Sequence, residues 1–273
     1  MQNPENSKSL LCFTPPSPSQ ARLAYQTLSH WFSPTFIGLE QIDPARPALY
    51  VGNHTLLGYD VPPMVLGVYL ECGVWLRGVA DRAHFRVPFW SSGVSRFGGF
   101  NGTRESVSAL MQAGQHILIF PGGGREVMKN KGEAYQLIWK NRIGFIELAL
   151  QHGYDIIPFA AVGGEEALDL HYDANDFRAS ALGKLAKKTG LLKLMRDGEA
   201  FIPWVTGFKG LPYVPKRQPL RYRFMPRIET RQLDPAKHEQ IKWQLREQVA
   251  NAIQAGIAAV SYTHLTLPTK RIV

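Results

Sequence analysis

The chain has 273 residues, 45% of them apolar and only 19% charged, which excludes a disordered polymer and leaves ample material for a buried core. Two cysteines, Cys12 and Cys72, exclude a disulfide scaffold or a zinc ribbon, and no apolar run reaches the ~18 residues of a membrane-spanning helix. The net charge is +9, and twelve Lys and Arg against three acids between Lys184 and Arg231 carry the whole excess, a pattern that suits nucleic acid, anionic lipid or a phosphorylated carrier.

In chain order, residues 1–16 read as a flexible polar lead without the apolar stretch of a signal peptide. A helix is expected over 17–32 and a buried strand over 48–51, running into Gly52-Asn53. A helix follows over 60–71, with its prolines in the first turn, then a strand over 74–79. Residues 103–113 read as a helix and 116–120 as a strand stopped by Pro121-Gly122-Gly123-Gly124. Residues 141–152 read as a helix, 155–161 as a third apolar strand and 220–225 as a further one. The clearest helix is 234–259, opened by Asp234-Pro235. Strands alternating with helices predict one α/β domain, residues 17–259, with a mainly parallel sheet flanked by helices. Residues 261–273, SYTHLTLPTKRIV, look like a translated sequencing adapter, which would leave the natural C-terminus missing and give this tail no function.

Four polar constellations stand out. Gly52-Asn53-His54-Thr55-Leu56-Leu57-Gly58-Tyr59-Asp60 follows the first strand, and a loop His with an Asp within reach is the minimal general-base pair. The same spacing also suits a loop or capping pair. Gly98-Gly99-Phe100-Asn101-Gly102-Thr103-Arg104 brings an arginine to a helix start. Phe120-Pro121-Gly122-Gly123-Gly124-Arg125-Glu126 offers backbone N–H groups beside a planar cationic fork, or a plain structural turn. Ile156-Ile157-Pro158-Phe159-Ala160 reads alone as a core strand. There is no G-x-S-x-G elbow, no defensible metal spacing and no nucleic-acid-binding signature. His171-Tyr172-Asp173 reads as a surface helix end, and Cys72 as packing at a helix end.

In this order and spacing the four resemble the four blocks of the glycerolipid acyltransferase superfamily, with His54 and Asp60 matching the first, Arg104 the second, Phe120, Pro121 and Arg125 the third and Pro158 the fourth. Five residues rather than four separate His from Asp, and Gly123 stands where the family usually has glutamate. Both departures, with Lys131-Gly132-Glu133 shortly after, resemble the branch containing phytyl ester synthases and diacylglycerol acyltransferase-like proteins. The resemblance implies acyl transfer from acyl-coenzyme A or acyl carrier protein to a lipid hydroxyl, with no cofactor and no metal. His54 would be the general base and Asp60 its orienting partner. Asn53, Arg104, Gly122, Gly123, Gly124 and Arg125 would bind substrate, the glycine amides and Arg125 holding donor phosphates or the oxyanion. The expected acceptor is neutral, diacylglycerol or a long-chain alcohol; the alternative is lysophosphatidic acid, and a non-catalytic anionic-lipid-binding module is the alternative of another class. Phe201, Trp204, Phe208 and Tyr213 among Lys209, Lys216 and Arg217, with the 17–32 helix as a second contact, predict peripheral attachment to the cytoplasmic face of a membrane.

Overall fold

The computed structural model describes residues 10–81, 88–190, 201–233 and 237–266. The first helix, α1 (Pro18–Phe32), opens with a capping box in which Ser17 and Gln20 satisfy each other's backbone N–H, and Pro18 occupies its first turn. Then come β1 (Thr35–Ile37), β2 (Ala48–Gly52), α2 (Val61–Cys72), β3 (Arg77–Ala80), α3 (Pro88–Arg96), β4 (Phe100–Asn101), α4 (Arg104–Gln112) and β5 (Ile117–Ile119). The short α5 (Gly123–Val127) and α6 (Gly144–His152) lead into β6 (Asp155–Val162). A lobe follows, made of β7 (Asp169–Tyr172), α7 (Ala174–Ala179), α8 (Ala181–Lys188) and β8 (Trp204–Thr206). Finally β9 (Arg221–Phe224) returns to the main sheet and α9 (His238–Thr266) covers it.

Seven strands form one sheet in the order β1-β9-β6-β2-β5-β3-β4, and β7 pairs with β8 separately. From β6 to β4 all neighbours are parallel, while β9 runs antiparallel to β6 and carries β1 parallel to itself. Side chains alternate across the two faces, as the pleat requires. Leu49 and Val51 of β2 join Ile156 and Ala160 of β6 against α4, α6 and α9. Ala48 and Tyr50 join Ile157, Phe159 and Ala161 against α1 and α2. Both faces of β2 and β6 are therefore covered, which is why every residue of these two strands is buried.

Several expectations shift. The strand expected over 74–79 begins at Arg77, because its ladder with the three-residue β5 starts there. Residues 10–16 of the expected lead are tied down: Leu10 and Pro16 carbonyls accept from Arg77 and Tyr69, and the Phe13 ring packs 5.8 Å from Trp75. His171 and Tyr172 lie in β7, and Asp173 caps the start of α7, so this segment is not a helix end. The apolar side of α1 packs on α2 in the core and leaves Leu23 exposed. The Asp234-Pro235 cap, residues 1–9 and the tail from 267 lie outside the described residues; α9 continues to Thr266.

Candidate active site

Because β2, β5 and β6 are parallel, their carboxyl ends emerge on one edge, where open α/β sheets form their ligand crevices. Asn53, expected to touch substrate, is fully buried there, with its Nδ2 donating to Ala161 O at 2.9 Å and its Oδ1 accepting Ala161 N–H at 2.8 Å. Its amide matches a backbone pair in both directions, so it ties the end of β2 to β6. His54 comes next, half-buried, its ring stacked on Phe120 with centroids 4.0 Å apart. Gly58 turns the following loop at φ +69°, and a Cβ there would come within 2.7 Å of His54 Cε1. Glycine is needed at that position both for the left-handed turn and for the space the imidazole fills.

Asp60 ends the same loop and is fully buried. Its Oδ1 accepts the Thr55 hydroxyl at 2.5 Å, while Oδ2 has no hydrogen-bond partner among the described residues. Burial pushes its carboxyl up to about 6, against the Thr55 bond and Lys129, which favour the charged form. Thr55, overlooked by the sequence reading, is thus the direct hydrogen-bond partner of Asp60.

The third constellation runs directly from β5 into a helix. Gly123 N–H closes a turn onto Phe120 O at 2.9 Å, and Gly123 and Gly124 begin α5, with Gly122 before them. Gly122 is glycine for a steric reason: a Cβ would lie 2.1 Å from Glu126 Cδ. Arg125 turns back, pairing with Glu133 and donating to Met128 O at 3.4 Å. The Lys131-Gly132-Glu133 segment therefore supplies the carboxylate that holds the arginine, and its Lys131 pairs with Asp176 of α7. Arg104 starts α4 beyond β4, the edge strand of the sheet. It is half-exposed and pairs with Glu147 at 3.0 Å. The structure thus sets Phe120 and Glu126 of the third constellation against His54, places Asp60 at the end of the loop that His54 begins, and pairs Arg104 with α6.

Three buried charges around His54 had no visible signal of burial in the sequence. Glu126 Oε2 accepts His54 N–H at 3.3 Å; Lys129 Nζ donates to His54 O at 2.6 Å and pairs with Glu165. Glu126 belongs to the Pro121–Glu126 stretch already quoted, so its presence there was the one available hint. Beside this group lies a cleft of about 250 Å³, with Leu56, Leu168 and Leu170 on its apolar side and Lys129, Lys131 and Glu165 on its polar side.

The acyltransferase family model matches residues 33–162, the stretch that runs from just before β1 to the end of β6 and contains all four constellations. The chain belongs to the glycerolipid acyltransferase superfamily. It is 30% identical over 237 residues to phytyl ester synthase 2, chloroplastic, of Arabidopsis thaliana, covering 79% of this chain and 33% of that protein. It is 31% identical over 128 residues to the DGAT1/2-independent enzyme synthesizing storage lipids of Bos taurus, covering 47% and 38%. The chain thus spans about a third of the length of these relatives. In fold, it is similar to the 1-acyl-sn-glycerophosphate (LPA) acyltransferase PlsC of Thermotoga maritima, with a TM-score of 0.54 at 13% identity, covering 89% of this chain and 79% of that one.

Proposed function

We propose that this domain moves a fatty acyl group from a thioester, acyl-coenzyme A or acyl carrier protein, to the hydroxyl of a neutral lipid such as diacylglycerol or a long-chain alcohol. The observation that carries the reading is His54 at the exit of β2, seated on Phe120 and followed within six residues by the fully buried Asp60. His54 takes the acceptor's hydroxyl proton as that oxygen attacks the thioester carbonyl. In the reaction, Asp60 Oδ2, which has no hydrogen-bond partner among the described residues, turns to the imidazole N–H and stabilises the imidazolium. The tetrahedral intermediate then expels the thiolate, which leaves with the imidazolium proton, and no acyl-enzyme forms.

The cleft by Lys129 suits this chemistry, offering leucines to an acyl chain and, on release from Asp176, Lys131 to the polar end of the donor. A phosphate role would require Arg125 to leave Glu133 or Arg104 to leave Glu147, which supports a neutral acceptor over lysophosphatidic acid. No helix among the described residues is long and apolar enough to cross a membrane. Peripheral attachment belongs to the proposal: Leu182, Leu185, Ile202, Trp204 and Leu211 are exposed among Lys184, Lys187, Lys188 and Lys209. Two of the four aromatics expected there are instead packed inward, Phe201 on Phe177 and Phe208 edge-on to Trp31.

Thiol release measured with and without diacylglycerol, a long-chain alcohol or lysophosphatidic acid, on wild type and His54→Ala, tests the reading. Release that depends on the neutral alcohol and disappears in His54→Ala is expected. Release without any acceptor would mean hydrolysis rather than transfer, and a kcat/KM preference for lysophosphatidic acid would overturn the neutral acceptor alone.

A further inference from the structure

The main chain of the base-bearing residue is gripped from both sides by charged groups of one short segment. Glu126 is fully buried, and its two oxygens accept two different backbone donors, His54 N–H at 3.3 Å and Ile138 N–H at 2.8 Å. Three residues on, Lys129 is 2% exposed, donates to His54 O at 2.6 Å and is held in turn by Glu165. Burial of two such groups is costly unless each is paired and hydrogen-bonded, and both are.

Chemistry selects these residue types. Two N–H donors approaching opposite oxygens are met best by an ionised carboxylate, whereas glutamine would turn an NH₂ donor against one of them. Burial nevertheless pushes Glu126 up to about 7, and Lys129 acts against that. The glycine at 122 follows from the same arrangement, since any side chain there would collide with the glutamate. None of these groups belongs to the β2–β6 ladder, which pairs Ala48–Gly52 with Asp155–Phe159.

We infer that Glu126 and Lys129 are positioning residues that fix the His54 peptide on both sides and thereby the aim of its imidazole, with Glu165 anchoring the lysine. The catalytic half of this inference rests on the acyl-transfer reading; the geometric half does not.

Glu126→Gln and Lys129→Met test it in the full chain, with two readouts: steady-state kinetics and amide hydrogen exchange at His54 compared with the β6 amides. A misaimed base costs on the order of 10–100-fold, so kcat should fall by that much with KM little changed. The His54 amide should exchange faster while β6 keeps its protection. Wild-type kcat, or unchanged exchange at His54, in a folded variant overturns the inference. Loss of protection throughout the sheet in both variants would assign a purely structural role and overturn it as well. If one variant fails to fold, the other decides. If the wild type transfers no acyl group, the proposed function fails and exchange at His54 alone judges the grip.

Discussion

Around His54 and in the lobe from β7 to β8, the molecule handles charge in opposite ways. Beneath His54, Asp60, Glu126 and Lys129 are out of water, each fixed by specific partners: Thr55, two backbone N–H groups, and Glu165 with a carbonyl. In the lobe, Lys184, Lys187 and Lys188 of α8 stand in solvent beside the equally exposed Leu182 and Leu185. Buried charge is costly unless its geometry is met, so it enforces geometry. Exposed charge is screened and acts through its summed field, so it tolerates rearrangement. The two regions touch: Tyr59 donates to Tyr213 O at 2.6 Å, and Leu56 packs with Leu168 and Val205. On the proposed function the first region sets reaction geometry and the second meets a membrane surface, and substitutions should separate them.

The largest effect on turnover is expected at the proposed base. A positioned base contributes ~10²–10⁴-fold, so His54→Ala should lose at least that lower factor in kcat while its unfolding transition stays cooperative. Retained turnover would remove the reason for the buried charges around it. Next come the glycines. Gly122→Ala places a methyl against Glu126 and should cost about 1–3 kcal/mol of stability, with activity falling alongside. Gly124→Ala, with nothing within 4 Å of the added Cβ, should instead gain about 0.5–1 kcal/mol as a helical position relieved of glycine. Urea unfolding of the pair decides. Equal losses at both positions would show that the constraint is the glycine run itself and not the buried glutamate.

Much of the first region was legible in the sequence. The apolar runs of β2 and β6 declare buried strands. His54 and Asp60 were visible because local spacing carries the motif. Glu126, Lys129 and Glu165 were not, since their contacts join residues 36 to 75 positions apart and nothing local marks them as buried. The three glycines read as a loop because propensity disfavours helix there, whereas α5 forms under a tertiary demand for space over Gly122. Short edge elements escaped for another reason: β1 and β4 have three and two residues, too few to show a period. The β7–β8 pair was missed because its strands are far apart in sequence and β7 is mostly exposed.

A smaller, graded effect should appear with pH. Burial raises the Asp60 carboxyl from 3.8 to about 6. The folded state therefore binds a proton more tightly than the unfolded chain, and the resulting stability is fully present below pH 3.8 and lost as the pH rises through about 6. Asp60→Asn removes that titration. The stability of wild type relative to Asp60→Asn should decline between about pH 4 and 6.5 and then level off. Urea unfolding across this range measures it. A difference that stays flat would mean that Asp60 is not held in the low-dielectric pocket, and would erase part of the contrast between the regions.

The smallest effect on turnover is expected in the lobe, where it should be absent. Leu182 and Leu185 lie one turn apart on α8, 66% and 56% exposed, with lysines between and beyond them, while Gly183 and Ala186 face inward. Replacing both leucines by glutamate touches no buried group, so stability should stay within about 0.5 kcal/mol, as for ordinary surface sites. Turnover of a water-soluble short-chain donor and acceptor should match wild type. Vesicle binding should not. Full burial of one leucine is worth roughly 1.5–3 kcal/mol, so even partial insertion of two implies about a tenfold loss of partitioning, and two added acids oppose an anionic surface further. Sedimentation with vesicles containing phosphatidylglycerol, compared with phosphatidylcholine alone and repeated at high salt, reads both parts. Wild type should favour the anionic vesicles and lose that preference in salt. If the variant sediments like wild type, the exposed leucines do not meet the membrane; if it binds normally but loses soluble turnover, the lobe belongs to the reaction site and the division between the two regions fails.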